Sequence, residues 1–231
     1  EAAEKAAKSD ALKSFKGFNQ DAAIRQIKTY ELKLAMHRGQ YADAKTFVEG
    51  ALKNGETVEV IYNNDGGDNP LYNAIGPNSR DVQVSPSLEA ARTTDAEKKA
   101  LPLAHASVDK KNPNRYNIYA SGLTRKGSMI ISNDDDIHLI KAELIVRGVM
   151  TGDAMTEVNK VIGKYDTASQ LSTTPTLAQI TELRRIFLAF RGERTADIRR
   201  GLEQGSATTT WASRKIKWLP IPEKELQSQG L

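Results

Sequence analysis

Two stretches of helical periodicity, separated by about seventy residues with almost none, frame what this chain can fold into. In the first, Ala23, Ile27, Tyr30 and Leu34 recur at i, i+4, i+7 and i+11, one apolar stripe of a helix. Asn19 or Asp21 is placed to cap it, and Gly39 to stop it just beyond Arg38. The next helix runs from Tyr41 to Lys53, with Tyr41, Ala44, Val48, Ala51 and Leu52 on one face and Asn54-Gly55 at its end. Ahead of both, residues 1–14 are rich in Ala, Lys and Glu, which favour helix. The second stretch opens at Asp134. Ile137, Ile140 and Leu144 line a helix that ends near Gly148, and another follows from Asp153 to Lys164. After a linker at Ser172–Pro175, Thr176 caps a helix carrying Leu177, Ile180, Leu183, Phe187 and Phe190. A short helix over Glu193–Glu203 comes last. Ile216 to Pro222 must be extended, because Pro220 and Pro222 lack the N–H donor and clash with a preceding helical turn.

The middle has a different texture. Thr57–Tyr62 alternates with β-branched residues and predicts a short strand. Asn63 to Pro86 is rich in Asn, Asp, Gly and Pro and reads as loop, with a few turns over Ser87–Leu101 and a second strand at Arg115–Tyr119. A long irregular stretch in a folded domain is usually functional or disordered. The expected fold class is therefore mainly α. It is a single domain over 1–231, with a helical hairpin at 19–55, an irregular insertion with short strands at 56–133, and a helical part with an extended tail at 134–231.

Composition narrows the chemistry. Among 231 residues there is no Cys, which removes disulfides, thiolate metal sites, a Cys nucleophile and a lipid-bearing Cys within these residues. Net charge is +4, but Lys and Arg are interleaved with Glu and Asp, as on solvated helices, so a nucleic-acid partner is not expected. No apolar run approaches a membrane span, and the chain opens without a Met, as a mature, excised or truncated product would. The 3 histidines, His37, His105 and His138, lie far apart, and no Gly-x-Ser-x-Gly elbow, phosphate loop or dinucleotide fingerprint is present. The reading is non-catalytic, with no cofactor. Asn63–Asp68 offers oxygens for Ca²⁺ but lacks the bidentate Glu, so a plain turn is the better reading. Asn133–Asp136 reads as helix capping.

Gly39-Gln-Tyr-Ala-Asp-Ala-Lys-Thr-Phe-Val-Glu-Gly-Ala-Leu52 resembles the second helix of a tetratricopeptide repeat: Gly39 allows the turn, Tyr41 fills the groove, and Ala44 and Ala51 admit the partner helix. A generic helical hairpin would show much of the same pattern. Further on, Ile137–Gly148 resembles the "LI-AEA" helix of the SusD/RagB family of outer-membrane nutrient-binding proteins. Ala154–Val161, with Asn159, is similar to that family's "A---lN-vR" helix. Arg184–Arg200 resembles "R--EL-FEG-R--DLRR", and Trp218–Glu225 resembles its "--PIP--E" terminus. Gly148, Arg194, Asp197, Pro220 and Pro222 are carried over with these motifs as structural positions. Departures are present: Ile162 stands for an Arg of the family, and Phe187 and Arg191 stand for acidic residues. The resemblance implies a tetratricopeptide-like scaffold at the cell surface or outer membrane. It further implies capture of a glycan or peptide and its delivery to a TonB-dependent transporter. The alternative is a structural helical-repeat protein that assembles into a homo-oligomer or polymer.

The helical hairpins commit their residues to packing by their periodicity; Arg194 and Asp197, at i, i+3, are placed to pair with each other. The binding groups are expected in the insertion, where Tyr62, Tyr72, Tyr116 and Tyr119 stand among Asn, Asp and Ser, including Asp65. Trp211 is expected to join them, whereas Trp218, beside Pro220, reads as packing. Aromatic faces stack on sugar rings while polar side chains bond hydroxyls, and loops on a rigid scaffold are where such groups concentrate.

Overall fold

The computed structural model describes residues 2–9, 19–62, 67–76, 84–107 and 116–203. The N-terminal helices are α1 (Ala2–Ala7), α2 (Gln20–His37) and α3 (Tyr41–Val48). The insertion then contributes β1 (Thr57–Val60), α4 (Pro70–Ile75), α5 (Pro86–Ala91), α6 (Asp95–Ala100), β2 (Leu103–Ser107), β3 (Tyr116–Ala120) and β4 (Met129–Asn133). Helices resume with α7 (Asp134–Val146), α8 (Ala154–Tyr165), α9 (Leu177–Phe187) and α10 (Arg194–Glu203). The fold is mainly α, as the periodicity predicts.

The two helical hairpins turn in the same way. Gly39 has φ +70°; its N–H bonds the Met36 carbonyl, and the Gln40 N–H bonds that of Ala35. Gly148 has φ +72°, with the Gly148 N–H on Ile145 and the Val149 N–H on Leu144. Both are Schellman ends, which need a left-handed residue that Gly supplies without the Cβ penalty. Ala44, with no exposed surface, packs among Leu32, Ala35 and Met36 of α2 and Ile137, Ile140 and Leu144 of α7. The other side of α7, Leu139 and Ala142, packs with Val158 and Val161 of α8, Ile180 of α9 and Ala96 of α6. α7 is thus buried nearly all round and joins the two hairpins. Asn159 holds the chain that leaves α8: its side chain donates to the Leu171 carbonyl at 2.9 Å and accepts from the Leu171 N–H at 2.8 Å.

The inward face of α2 differs from the apolar stripe. Thr29, Leu32, Lys33 and Met36 point inward, while Tyr30 and Leu34 are 48% and 49% exposed. The reason is polar. The Thr29 hydroxyl accepts from the Leu52 N–H at 3.0 Å, and the Lys33 ammonium reaches Glu193 at 2.7 Å.

Lys33 belongs to a buried ionic network. Asp136 pairs with Arg191 at 2.8 Å, and Glu193 also takes Arg184 and His37. Asp197 takes Arg184 at 2.9 Å and Arg200 at 2.6 Å, and Glu143 takes Arg200 and Arg147. Lys33 and four arginines therefore meet four carboxylates, and Nη1 of Arg184, of Arg147 and of Arg200 finds no partner among the described residues. The expected Arg194–Asp197 pair does not form. Asp197 turns inward to Arg184 and Arg200, and Arg194 reaches Glu182 at 3.0 Å instead. On the α10 surface the two positions lie three apart, but the buried cations compete for Asp197 at closer range and lower dielectric.

Candidate functional site

The insertion leaves and rejoins the scaffold through one antiparallel stem. β1 pairs with β4, Thr57 opposite Asn133 and Val60 opposite Met129, with a bulge between Val58 and Glu59. Asp134 fastens its base: its carboxylate accepts from the Gly55 N–H at 2.7 Å and pairs with Lys164 at 2.7 Å, and its N–H bonds the Glu56 carbonyl. Asn133–Asp136 thus does more than cap. Asp136 accepts from the Asn133 N–H, while Asp135 takes Lys164 and the Tyr165 hydroxyl. Burial, together with the Asp135 charge, pushes the Tyr165 phenol up to about 12. At the far end of the stem Val60 and Ile61 are exposed, Ile61 at 73%.

Within the insertion β2 pairs with β3, and α4 packs on β3 around Ile75, Val84, Ile118 and Ala120. Two of its short helices start with Pro after a capping side chain, Asn69 and Ser85 accepting from Leu71 and Ser87 N–H groups. α6 carries a full capping box between Thr94 and Glu97. Helix α4 lies where the sequence reads as loop, and β2 and β4 lie where the sequence reading places no element. Asn69-Pro70 and Ser85-Pro86 were the signals that could have placed the helices.

Of the expected ligand residues, Tyr62 follows β1, Tyr72 sits on α4 and Tyr119 on β3, all three half-buried. Tyr116 pairs with Ser107 at the end of β3. Asp65, Trp211, Pro220 and Pro222 lie outside the described residues. None of Tyr62, Tyr72 and Tyr119 lines the three clefts described next. Asp68, at the end of the loop weighed for Ca²⁺, is taken by Arg125 and Lys126 at 2.8 and 3.2 Å. Each histidine is paired with a glutamate: His37 with Glu193, His105 with Glu89, and His138 with Glu157.

The clefts lie where the insertion meets the helices. One of about 580 Å³ opens between α5 and the α9–α10 turn, with Ser87 and Leu88 on one side and Arg185, Phe190 and Arg194 on the other. A second, of about 390 Å³, is mostly apolar, between Leu71, Leu101, Leu123 and Met129 of the insertion and Phe187 and Phe190. The third, of about 550 Å³, is polar, at the stem base, with Asn54, Asp134, Asp135, His138 and Lys164. Phe190 stands between the first two and has φ +66°, a left-handed conformation rare for a residue with a bulky side chain. Such strain collects at ligand sites and turns.

No family model and no curated protein matches the sequence. Solved structures do match. Surface glycan-binding protein A from Bacteroides thetaiotaomicron aligns with a TM-score of 0.63 at 18% identity, over 90% of this chain. A laminarin-binding SusD-like protein aligns with a TM-score of 0.62 at 19% identity, over 95% of this chain. The fold is SusD-like. A second structure of the Bacteroides protein, in complex with laminarihexaose, aligns with a TM-score of 0.60 at 18% identity. The chain spans 62% of the length of these SusD-like structures. Within the SusD-like fold the departure at Arg191 has a local account. Arg191 bonds Asn133 at 2.6 Å and Asp136 at 2.8 Å, and Glu193, two residues on, supplies the buried acid that meets Lys33 and Arg184. The cleft residues Ser87 and Arg185 escaped the sequence reading, since only the fold brings α5 beside α9; Phe190, expected on the α9 stripe, lies past the helix end at Phe187, where its φ of +66° cannot continue the helix.

Proposed function

We propose that this protein is a non-catalytic glycan-binding protein of the bacterial cell surface, which passes its ligand to a TonB-dependent outer-membrane transporter. The observation that carries this reading is the likeness, over 90% or more of the chain, to structures whose names state glycan or laminarin binding. The insertion supports it. A stem fixed at its base by Asp134 joins the insertion, which carries the tyrosines, to the helical body, and clefts open where the two meet; loops carried on a scaffold are where binding groups concentrate. In this reading Tyr62, Tyr72, Tyr116 and Tyr119, with Asp65 and Trp211, supply ring faces and polar contacts for the sugar. The helical residues Gly39, Ala44, Gly148, Asn159, Arg194 and Asp197 serve the architecture.

The test is a glycan array on the protein, followed by titration of Tyr72→Ala and Trp211→Ala. Binding by the parent that weakens in either variant supports the reading. No glycan bound by the parent overturns it, and both variants binding as the parent does overturns the assignment of Tyr72 and Trp211 to the site.

A further inference from the structure

The cleft between α5 and the α9–α10 turn has a sign of charge. Arg184, Arg185 and Arg194 line it, with Glu193 as the one carboxylate among its lining residues. That carboxylate is committed inward, to Lys33 at 2.7 Å and His37 at 2.9 Å as well as to Arg184. Among the described residues Arg185 and Arg194 share one carboxylate, Glu182, at 3.1 and 3.0 Å, and Arg194 also donates to the Thr181 carbonyl at 3.4 Å. Arg184 is 2% exposed, and its Nη1 has no partner among the described residues. Behind it lies the buried network, in which the cations outnumber the carboxylates. The first turn of α10 also borders the cleft through Arg194 and Thr195 and adds the positive end of a helix.

The remaining lining suits a sugar. Ser85, Ser87 and Thr195 offer exposed hydroxyls, and Ser87 already accepts from Arg185 at 2.8 Å, which holds that guanidinium at the rim. Leu88, Leu188 and Phe190 give an apolar wall for the C–H face of a pyranose ring. The volume of about 580 Å³ lies in the usual range for small-ligand sites.

We infer that this cleft binds the anionic group of an acidic saccharide, a uronate carboxylate or a sulfate ester, with Arg185 and Arg194 as the contacting cations. This rests on the glycan-binding reading and narrows it to a ligand class. Guanidinium pairs with carboxylate or sulfate oxygens through charge-assisted hydrogen bonds, about twice as strong as neutral ones. A neutral glycan would leave the surplus charge without a counterpart.

Isothermal titration calorimetry of the protein with trigalacturonate, neocarrabiose sulfate and neutral laminarihexaose tests it. At least one acidic probe is expected to bind about tenfold or more tightly than the neutral one, and the two acidic probes tell carboxylate from sulfate recognition. That binding should weaken as NaCl rises from 0.02 to about 0.3 M, because added salt screens exposed charges. Arg185→Gln and Arg194→Gln should each reduce it about tenfold, whereas Lys98→Gln, an equal charge loss on the exposed face of α6, should not. Thermal melts of the variants check that they are folded. Neutral binding without acidic preference overturns the inference and leaves glycan binding standing. Acidic binding insensitive to both arginine variants overturns the site. Binding of none of the probes, with a glycan array also blank, overturns both readings.

Discussion

Two side chains show how much of the helical body depends on single polar groups. Asp197 is the partner of both Arg184 and Arg200, each nearly fully buried. Removing one member of a buried pair leaves uncompensated charge, so Asp197→Ala should cost about 3–5 kcal/mol. Urea unfolding measures this, and a midpoint equal to the parent's would contradict the buried network. Asn159 makes two bonds to the Leu171 backbone that Ala cannot replace. Asn159→Ala should cost ~1–3 kcal/mol, chiefly from stranding that N–H and carbonyl. At Asp197 helical spacing names Arg194 as the partner, but the structure pairs Asp197 with Arg184 and Arg200.

At the scale of elements, the hairpins were legible and the insertion largely was not. Glycine stops and small residues mark Gly39, Ala44 and Gly148 in the sequence because a tight helical turn and a close helix contact leave few alternatives. Ala44 has no exposed surface, so Ala44→Leu should overpack the α2–α3 contact and cost about 1–3 kcal/mol. A variant melting with the parent would show that this contact has room. The face of α2 was misread because Thr29 and Lys33 count against an apolar stripe, yet both are buried on partners that lie far away in sequence. Strand β2, Leu-Ala-His-Ala-Ser, carries no β-branched residue and gains its strand from β3 alone. The clefts were beyond sequence reasoning for the same cause: Ser87 and Arg185 are 98 positions apart and meet through one hydrogen bond.

For the molecule as a whole, the ion pairs tie stability to pH. Burial raises the Glu193 carboxyl, but the His37 hydrogen bond and the Arg184 and Lys33 charges outweigh it and hold the group at about 2. Glu157 is likewise raised by burial and lowered to about 2 by hydrogen bonds from His138 and Lys160. Both lie below the ordinary value of 4.5, so the folded state binds these protons less readily than the unfolded one. The stability they contribute is complete above about pH 4.5 and is lost as pH falls through about 2. Melting temperature should therefore drop between pH 5 and pH 2, and the drop should be shallower in Glu157→Gln. An identical acid profile in that variant would remove Glu157 from the account.

The stem has a kinetic side. Each hairpin closes over a few residues, but Thr57 meets Asn133 only after the whole insertion has been looped out. Closing so long a loop costs entropy that the helices do not have to overcome, so the strands should zip late in folding and open early under native conditions. Deuterium uptake at Thr57–Val60 and Met129–Asn133 should run ahead of uptake in α7, and equal protection would refute this order. A sugar gripped between the insertion and the helices would slow that uptake. The stem amides would then report occupancy for an unlabelled ligand.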